Sequence, residues 1–321
     1  MGFLLTPDEA RALIAEDARN SDVLLPYLNG EEVNSSPVHA PERWVINFAD
    51  WPEGRARTYP SCFAIIEEKV RAERQVLASR TASGRDYAKR WWQFGRPTRQ
   101  LYDAISGHNR ALVLSIVSKY VSPTFVPPAQ VFSHRLVVFS YDDDFHFGLL
   151  ASAIHNIWAV KYSSTLETRL NYAPTDCFET FPQPPYSPAV EAAGKALDDH
   201  RRPLMIANNE GLTKTYNRVH NPAEQSAGIV RLRELHRELD HAVRDAYGWQ
   251  DLDLDHGFHE TSQGVRYTIG PAARTEVLDR LLELNHQRYA EEVAAGLHDK
   301  KKGAKGKARA NAATQEARRL L

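Results

Sequence analysis

Apolar and polar positions follow two rhythms along this chain. In the first half, short apolar runs are cut by turn residues. Thr6-Pro7-Asp8-Glu9 predicts a helix start: Thr6 can cap, Pro7 suits the first helical position and Glu9 completes a capping box. A short helix to about Asp17 follows. NSDVLLPYLNGEEV predicts a strand with a turn at Asn29-Gly30. WVINF (Trp44–Phe48) predicts a buried strand closed by Asp50-Trp51-Pro52. Phe63, Ile66, Val70 and Leu77 share one side of a helix expected from Cys62 to about Leu77. ALVLSIVSKYV and QVFSHRLVVFSY are rich in β-branched and aromatic residues, and predict strands divided by the proline-rich SPTFVPP. Asp142-Asp143-Asp144 predicts the cap of a long apolar helix from about Phe145 to Tyr162, after which TRLNYAPTDCFETFP reads as extended.

After Pro188 the period lengthens. Ile229, Leu232, Leu235, Leu239 and Val243 fall at helical spacing, as do Val277, Leu278, Leu281 and Leu282. Strand signals are nearly absent there. The predicted class is α+β: a mixed α/β domain over residues 1–182, a proline-rich linker at 183–188, and an all-α helical domain over 189–298. A basic, low-complexity tail at 299–321 reads as disordered.

Composition changes this picture little, but charge placement adds to it. The 321 residues carry a formal net charge of −1, so bulk charge selects no partner. Residues 43–110, however, hold 13 Lys and Arg against 7 Asp and Glu, and the tail holds 8 against 2. Basic segments in a neutral chain hint at nucleic acid. The two cysteines, Cys62 and Cys177, lack metal-ligand spacing. The N-terminus meets charge too early for a signal peptide, and no apolar run approaches a membrane span. A cytoplasmic protein without a membrane partner is expected.

The chemistry-bearing candidates are few. Gln183-Pro184-Pro185-Tyr186 resembles the Asp/Asn/Ser-Pro-Pro-aromatic tetrapeptide of enzymes that methylate the exocyclic amine of adenine. Yet no G-x-G turn follows a strand, and no acidic residue ends a following strand to hold a ribose. Gln183 also replaces the residue that accepts the amine's hydrogen bonds. A P-loop and a G-x-S-x-G elbow are missing. HGFHE (His256, His259, Glu260) is either part of a zinc site or, better supported by its glycine and turn residues, a structural turn. YDDDFH is either a carboxylate cluster for Mg²⁺ or, more simply, a helix cap. Cys177 is expected in the core. No catalytic and no metal-ligating residue is assigned, and the chain does not read as a complete enzyme.

Residues 55–97 interleave Arg and Lys with Tyr59, Tyr87, Trp91, Trp92 and Phe94. Guanidinium groups suit phosphates and base edges, and aromatics either stack on bases or fill a core. One of Trp91 and Trp92 is expected at a surface or ligand. With these residues in view, the segments EKVRAER, WWQFGRP, VFSHRLVVF, SSTLETRLNYAPTDCFETFPQP and HRELDHAVRDAYGW resemble the target-recognition and C-terminal helical regions of MmeI-like DNA methylases. That group includes fused restriction–modification enzymes and the adenine methylases of phage-defence systems such as DISARM and BREX. EGLTKTYNRVH and HGFHETSQGVRYTI look closest to the DISARM-type branch, and the likeness runs from about residue 2 to 295.

The resemblance implies a site-specific adenine-N6 DNA methyltransferase using S-adenosylmethionine. It further implies that the methyltransferase core, with its cofactor, precedes the recognition domain. This chain begins where the recognition domain is expected, so the core is expected in another polypeptide or in a preceding part. Double-stranded DNA, that core, and other defence-system proteins are the expected partners. The resemblance places the segment 163–172 at the DNA major groove. Its residue types suit direct readout: Ser164, Glu167, Arg169, Asn171 and Tyr172 are the candidate base readers, with Arg169 forking onto guanine, Glu167 accepting from cytosine and Asn171 pairing with adenine. Alternation puts Glu167, Arg169 and Asn171 on one face of a strand, unless Glu167 and Arg169 merely form a surface ion pair. Lys69, Arg71, Arg74, Lys89, Arg90, Arg96 and Arg99 are candidate phosphate contacts. Trp92, Lys214, Tyr216 and Arg218 are candidate partner or DNA contacts. The alternative reading is a helical docking module of a defence complex, without base-specific readout.

Overall fold

The structure is a computed structural model that describes residues 2–95, 98–166 and 169–298. The chain opens with β1 (Leu4–Leu5) and α1 (Pro7–Glu16), whose predicted capping box forms: Thr6 Oγ1 accepts from the Glu9 N–H, and the Glu9 carboxylate accepts from the Thr6 N–H at 2.7 Å. Next come β2 (Leu24–Leu28), α2 (Gly30–Ser35), β3 (Arg43–Ile46), the short α3 (Glu53–Ala56), α4 (Pro60–Ala78), α5 (Ala82–Lys89) and α6 (Arg99–Ile105). The expected Asn29-Gly30 hairpin turn is instead the start of α2. A side chain at position 30 would meet Ser115 Oγ at 2.5 Å, so only glycine lets the helix approach the neighbouring strand.

The middle of the chain is strand-rich: β4 (Ala111–Ser115), β5 (Val117–Ser118), β6 (Thr124–Val126), β7 (Val131–Phe132) and β8 (Leu136–Phe139). Two helices follow, α7 (Asp144–Ala151) and α8 (Ala153–Tyr162), in place of the single long helix expected. Ser152 breaks them apart. It is extended, its hydroxyl donates to the Leu149 carbonyl, and its Oγ caps α8 at the His155 N–H. Then come β9 (Ser164–Leu166), β10 (Arg169–Asn171) and α9 (Pro174–Cys177).

The last third holds α10 (Pro188–Asn208), α11 (Leu212–Val219), α12 (Ala227–Ala246), a hairpin of β11 (Gly257–Thr261) and β12 (Gly264–Thr268), and α13 (Pro271–Ala294). This region is therefore not all helix. The hairpin lacks the pattern of an apolar strand because it carries His259, Glu260 and Arg266, and its apolar members Phe258 and Val265 are exposed. It is held by an edge-on contact between the Phe258 and Tyr267 rings.

Two cores organise these elements. In the first, the sheet β1-β3-β2-β7 packs against α1 and α4 through Phe3, Val45, Ile46, Phe48, Phe63 and Ile66. In the second, the sheet β6-β4-β8 packs against α7 and α8, and these against α10, α12 and α13. All five residues of β4 are buried because strands flank both its edges. The second core runs without a break from Leu28 to Leu281, across the joint that the sequence marks at 183–188. That joint has no regular structure, yet it is not a loose spacer: Pro182 and Pro184 are buried, Tyr247 Oη donates to the Pro182 carbonyl at 2.9 Å, and Arg288 Nη2 donates to the Gln183 carbonyl at 2.7 Å. No helix among the described residues is long and apolar enough to cross a membrane.

A close crossing joins α7 to α10. A Cβ at Gly194 would stand 2.3 Å from the Asp144 carbonyl oxygen and 3.0 Å from Gly148 Cα. Backbone cannot yield as a flexible side chain can. Gly194→Ala is therefore expected to lower the unfolding free energy by about 2–3 kcal/mol, measured by urea denaturation. Gly54→Ala, where a Cβ meets nothing within 4 Å, is the control and is expected to be neutral or slightly stabilising.

Candidate nucleic-acid interface

The candidate reading segment is a β-hairpin. β9 and β10 pair antiparallel in the register Arg169↔Leu166, Leu170↔Thr165 and Asn171↔Ser164, and β10 pairs in turn with β5. β9 is the outer strand of this small sheet. Leu170 and Tyr172 point inward, each 2% exposed, so strand alternation sends Arg169 and Asn171 to the opposite face. Arg169 is exposed and makes no hydrogen bond or ion pair with the described residues. Asn171 Nδ2 donates to Ser164 Oγ at 2.9 Å, which ties two directly opposed side chains of that face. Their orientation is thus set before any ligand arrives. Glu167 lies outside the described residues.

Tyr172 is the correction in this set. Its N–H donates to the Ile116 carbonyl at 2.8 Å, and its hydroxyl lies 3.1 Å from His155 Nε2 inside the core. His155 Nδ1 is 3.0 Å from the Leu150 carbonyl, which can only accept, so the ring proton sits on Nδ1 and Nε2 accepts from Tyr172. Burial drives the phenol's pKa upward and lowers that of His155 to about 4, so both are neutral. A side chain engaged in this way cannot reach a base. Cys177 is likewise a support, as its type suggests: Sγ meets Ser163 Oγ at 3.0 Å just before β9, and burial pushes the thiol up. Trp158 Nε1 donates to Thr180 Oγ1 beside it.

The basic region divides. Lys69 and Lys89 are exposed on α4 and α5 and fit the phosphate role sterically. Arg71 pairs with Glu67 at 2.7 Å and its guanidinium lies near the Trp91 ring; Arg90 pairs with Asp86 at 2.5 Å. Arg99 stands loosely between Asp50 and Asp103, and Arg96 lies outside the described residues. Arg74 is the correction: it is half-buried, and its Nη1 donates to the carbonyls of Arg90, Trp91 and Gln93 at 2.8–3.3 Å. It closes the turn after α5 and is not presented to a phosphate. The aromatics of this region are core. Trp91 is buried against Phe63, and Tyr59, Trp92 and Phe94 pack around the same cluster. Trp92 also spends its indole N–H on the Trp51 carbonyl at 2.8 Å.

In the helical region Lys214 is exposed, but Tyr216 and Arg218 are structural. Tyr216 is buried with its hydroxyl 3.0 Å from His236 Nε2 and 3.3 Å from Arg201 Nη1. Arg218 is clasped by Glu210 at 3.1 Å and Glu224 at 2.9 Å. Arg233, which helical spacing places on a solvated face, is instead buried and donates to the carbonyls of Val219, Glu224, Arg218 and Asn221. The acidic YDDDFH run does what caps do: Asp143 accepts from the His146 N–H, and Asp144 pairs with Arg110 at 2.9 Å. His256 and His259 of HGFHE go separate ways, to Asp240 at 2.9 Å and to the Asp255 carbonyl at 2.8 Å.

Comparison with known proteins bears on this surface. The family model described as "MmeI, target recognition domain" matches residues 1–185. A solved structure of the Type IIL restriction–modification enzyme MmeI in complex with DNA matches the fold with a TM-score of 0.65 and 20% identity. The match covers 90% of this chain and 34% of that one, so the chain spans about a third of that enzyme's length. No curated protein matches the chain.

Tyr172→Phe leaves the His155 acceptor unpaired, and is expected to cost about 1–2 kcal/mol of stability in denaturant unfolding. A base reader in the same position would instead change DNA selectivity and leave stability alone. Acid should act on the same pair. The unfolded imidazole titrates near 6.5 and the folded one near 4, so this stabilisation is complete above about pH 6.5 and is lost as pH falls towards 4. Between pH 7 and 5 the unfolding free energy of His155→Gln is expected to fall by about 1–2 kcal/mol less than that of the wild type, by urea titration at each pH.

Proposed function

The chain belongs to the MmeI target-recognition-domain family, and from that premise we propose that it reads DNA sequence for a restriction–modification enzyme through the outer face of the β9–β10 hairpin. The observation that carries the reading is the division of that hairpin. Leu170 and Tyr172 lock it to the core, while Arg169, Asn171 and Ser164 stand on the opposite face with their chemistry uncommitted to the scaffold. A guanidinium donates in a fork that matches the two major-groove acceptors of guanine, and a carboxamide both donates and accepts, as adenine requires. Lys69 and Lys89 on α4 and α5, with Arg71, Arg90 and Arg99 once their carboxylate partners are exchanged, are proposed to meet phosphates.

The modification itself belongs elsewhere in this reading. Among the described residues, β2 and β7 are the parallel pair, and no glycine-rich turn follows a strand into a helix to cradle a nucleoside cofactor. Gln183 sits in the buried joint with its carbonyl held by Arg288, which does not fit a catalytic tetrapeptide. S-adenosylmethionine and transfer to the adenine N6 amine are therefore assigned to a methyltransferase core that this chain serves, in a cytoplasmic restriction–modification or phage-defence system.

Binding of the chain to random-sequence duplex DNA is expected to weaken steeply with salt, as counterions released from the phosphates demand. In a selection from a randomised duplex pool, Arg169→Ala is expected to relax preference at one base position by about 1–3 kcal/mol. Lys69→Ala should weaken all sequences alike. An unchanged selection profile for Arg169→Ala would remove the hairpin from base readout, and salt-independent affinity would remove DNA as the partner.

A further inference from the structure

Between the β11–β12 hairpin, α8, α11 and α12 lies a cavity of about 280 Å³. None of the proposed base readers lines it. One wall is apolar, formed by Val121, Ile157, Val160 and Val219. The other presents hydrogen-bond donors with nothing to donate to. Ser122 lines the cavity at 4% exposure, and its Oγ has no hydrogen-bond partner among the described residues. Arg266 Nε is likewise buried and unpaired, although Nη1 donates to the Val265 carbonyl at 2.9 Å and the guanidinium lies 5.3 Å from the centre of the Tyr120 ring. His220 adds a third donor by elimination. Its Nδ1 accepts from the Tyr267 N–H at 3.1 Å, so the neutral ring must carry its proton on Nε2. Burial and the neighbouring Arg266 hold its pKa down to about 3, so neutral is its resting form.

The charge around this space is one-sided. Arg266, Arg274 and Lys161 contribute cations. The carboxylate among the lining residues is Asp240, and both its oxygens are engaged: one accepts from the Ala153 N–H at 2.6 Å, the other meets His256 Nε2 at 2.9 Å. Buried donors without acceptors are costly, and native interiors rarely keep two of them in one place. One water molecule occupies roughly 30 Å³, so the space is far larger than a single bridging water requires.

We propose that this cavity is a binding site for a small organic anion, a phosphate or carboxylate on an aromatic or apolar body, whose oxygens accept from Ser122 Oγ, Arg266 Nε and His220 Nε2 while the body rests on Val121, Ile157 and Val160. The site is separate from base readout and adds a ligand to a chain otherwise read as a nucleic-acid module.

Calorimetry and thermal unfolding of the full chain would test this with phenyl phosphate, benzoate and AMP, and with phenol and adenosine as uncharged counterparts. At least one anion is expected to bind and raise the melting temperature, with its neutral counterpart at least about tenfold weaker. Ser122→Ala and Arg266→Gln should each weaken the anion by about tenfold. Ser122→Ala removes an unpaired buried hydroxyl, so it is expected to fold at least as stably as the wild type, and the test survives if Arg266→Gln does not fold. The proposal is overturned if no anion binds at millimolar concentration, if neutral counterparts bind as tightly, or if Ser122→Ala binds unchanged. Displacement of the anion by duplex DNA would assign the site to a backbone phosphate and overturn the small-molecule ligand.

Discussion

Two backbones meet at Gly148 and Gly194 with no side chain between them, and much of the molecule depends on that approach. It brings α7, which follows directly from the β6-β4-β8 sheet, against α10, the first helix beyond the proline-rich joint. Once the crossing is made, Leu239 and Val190 close over it, and α12 packs on the far side. The core is then continuous from the strands to the last helix. The hairpin β9–β10 sits between these layers in sequence, with Leu170 and Tyr172 buried and Tyr172 held by Ile116 and His155. A recognition surface on a loosely tethered domain would lose orientation with every domain motion. Here the joint is stapled by Tyr247 and Arg288 as well.

The arginines show how charge in a sequence can mislead. Arg74 and Arg233 are half-buried and buried, and each satisfies several carbonyl oxygens at a time, while the buried Arg201 divides its donors among the Pro123 carbonyl, the Tyr216 hydroxyl and Asp198. A guanidinium has five N–H donors in a fixed plane and hydrates more weakly than an ammonium, so it can close a turn or a helix terminus from within. Burial depresses the pKa of Arg74 and Arg233. The exposed basic residues that remain on α4 and α5 are Lys69, Arg85 and Lys89, together with Arg71, which is paired to Glu67. The basic excess of residues 43–110 thus overstates what that surface can offer a polyanion.

What was legible in the sequence was whatever depends on near neighbours. The Thr6–Glu9 capping box, α4 with its Phe63, Ile66 and Val70 stripe and the leucine spacing of α12 all follow from local rules, and the structure contains each; the strand expected at Trp44–Phe48 is there too, shifted to Arg43–Ile46. What was not legible depends on residues far apart. Asn29-Gly30 has the chemistry of a hairpin turn, but Gly30 opens α2 and packs closely on Ser115, which lies 85 residues further along the chain. The apolar run 145–162 has no interior proline to announce a break, and Ser152 breaks it in partnership with Asp240, which lies 87 residues from the Ala153 N–H it accepts. Tyr172 shares its residue type with base-stacking side chains and is separated from them only by His155 beneath it. On the β9–β10 hairpin, a period of two was enough to place Arg169 and Asn171 together.

That period has a consequence for specificity. Along β10 the residues alternate between fixing the strand and facing outward, and the two sets do not share contacts. A substitution at Arg169 changes what the face offers without touching Leu170, Tyr172 or the β5 ladder that positions them. The Ser164–Asn171 link ties two directly opposed residues of the outward set, so changing either end alters the partner's freedom while the backbone register stays fixed. Physical independence of the two faces is what lets a scaffold keep its fold while its recognised ligand varies. The same alternation accounts for the misplaced candidate reader: residue type alone suggests Tyr172 as a reader, while the period of two puts it with Leu170 on the inward face, against His155.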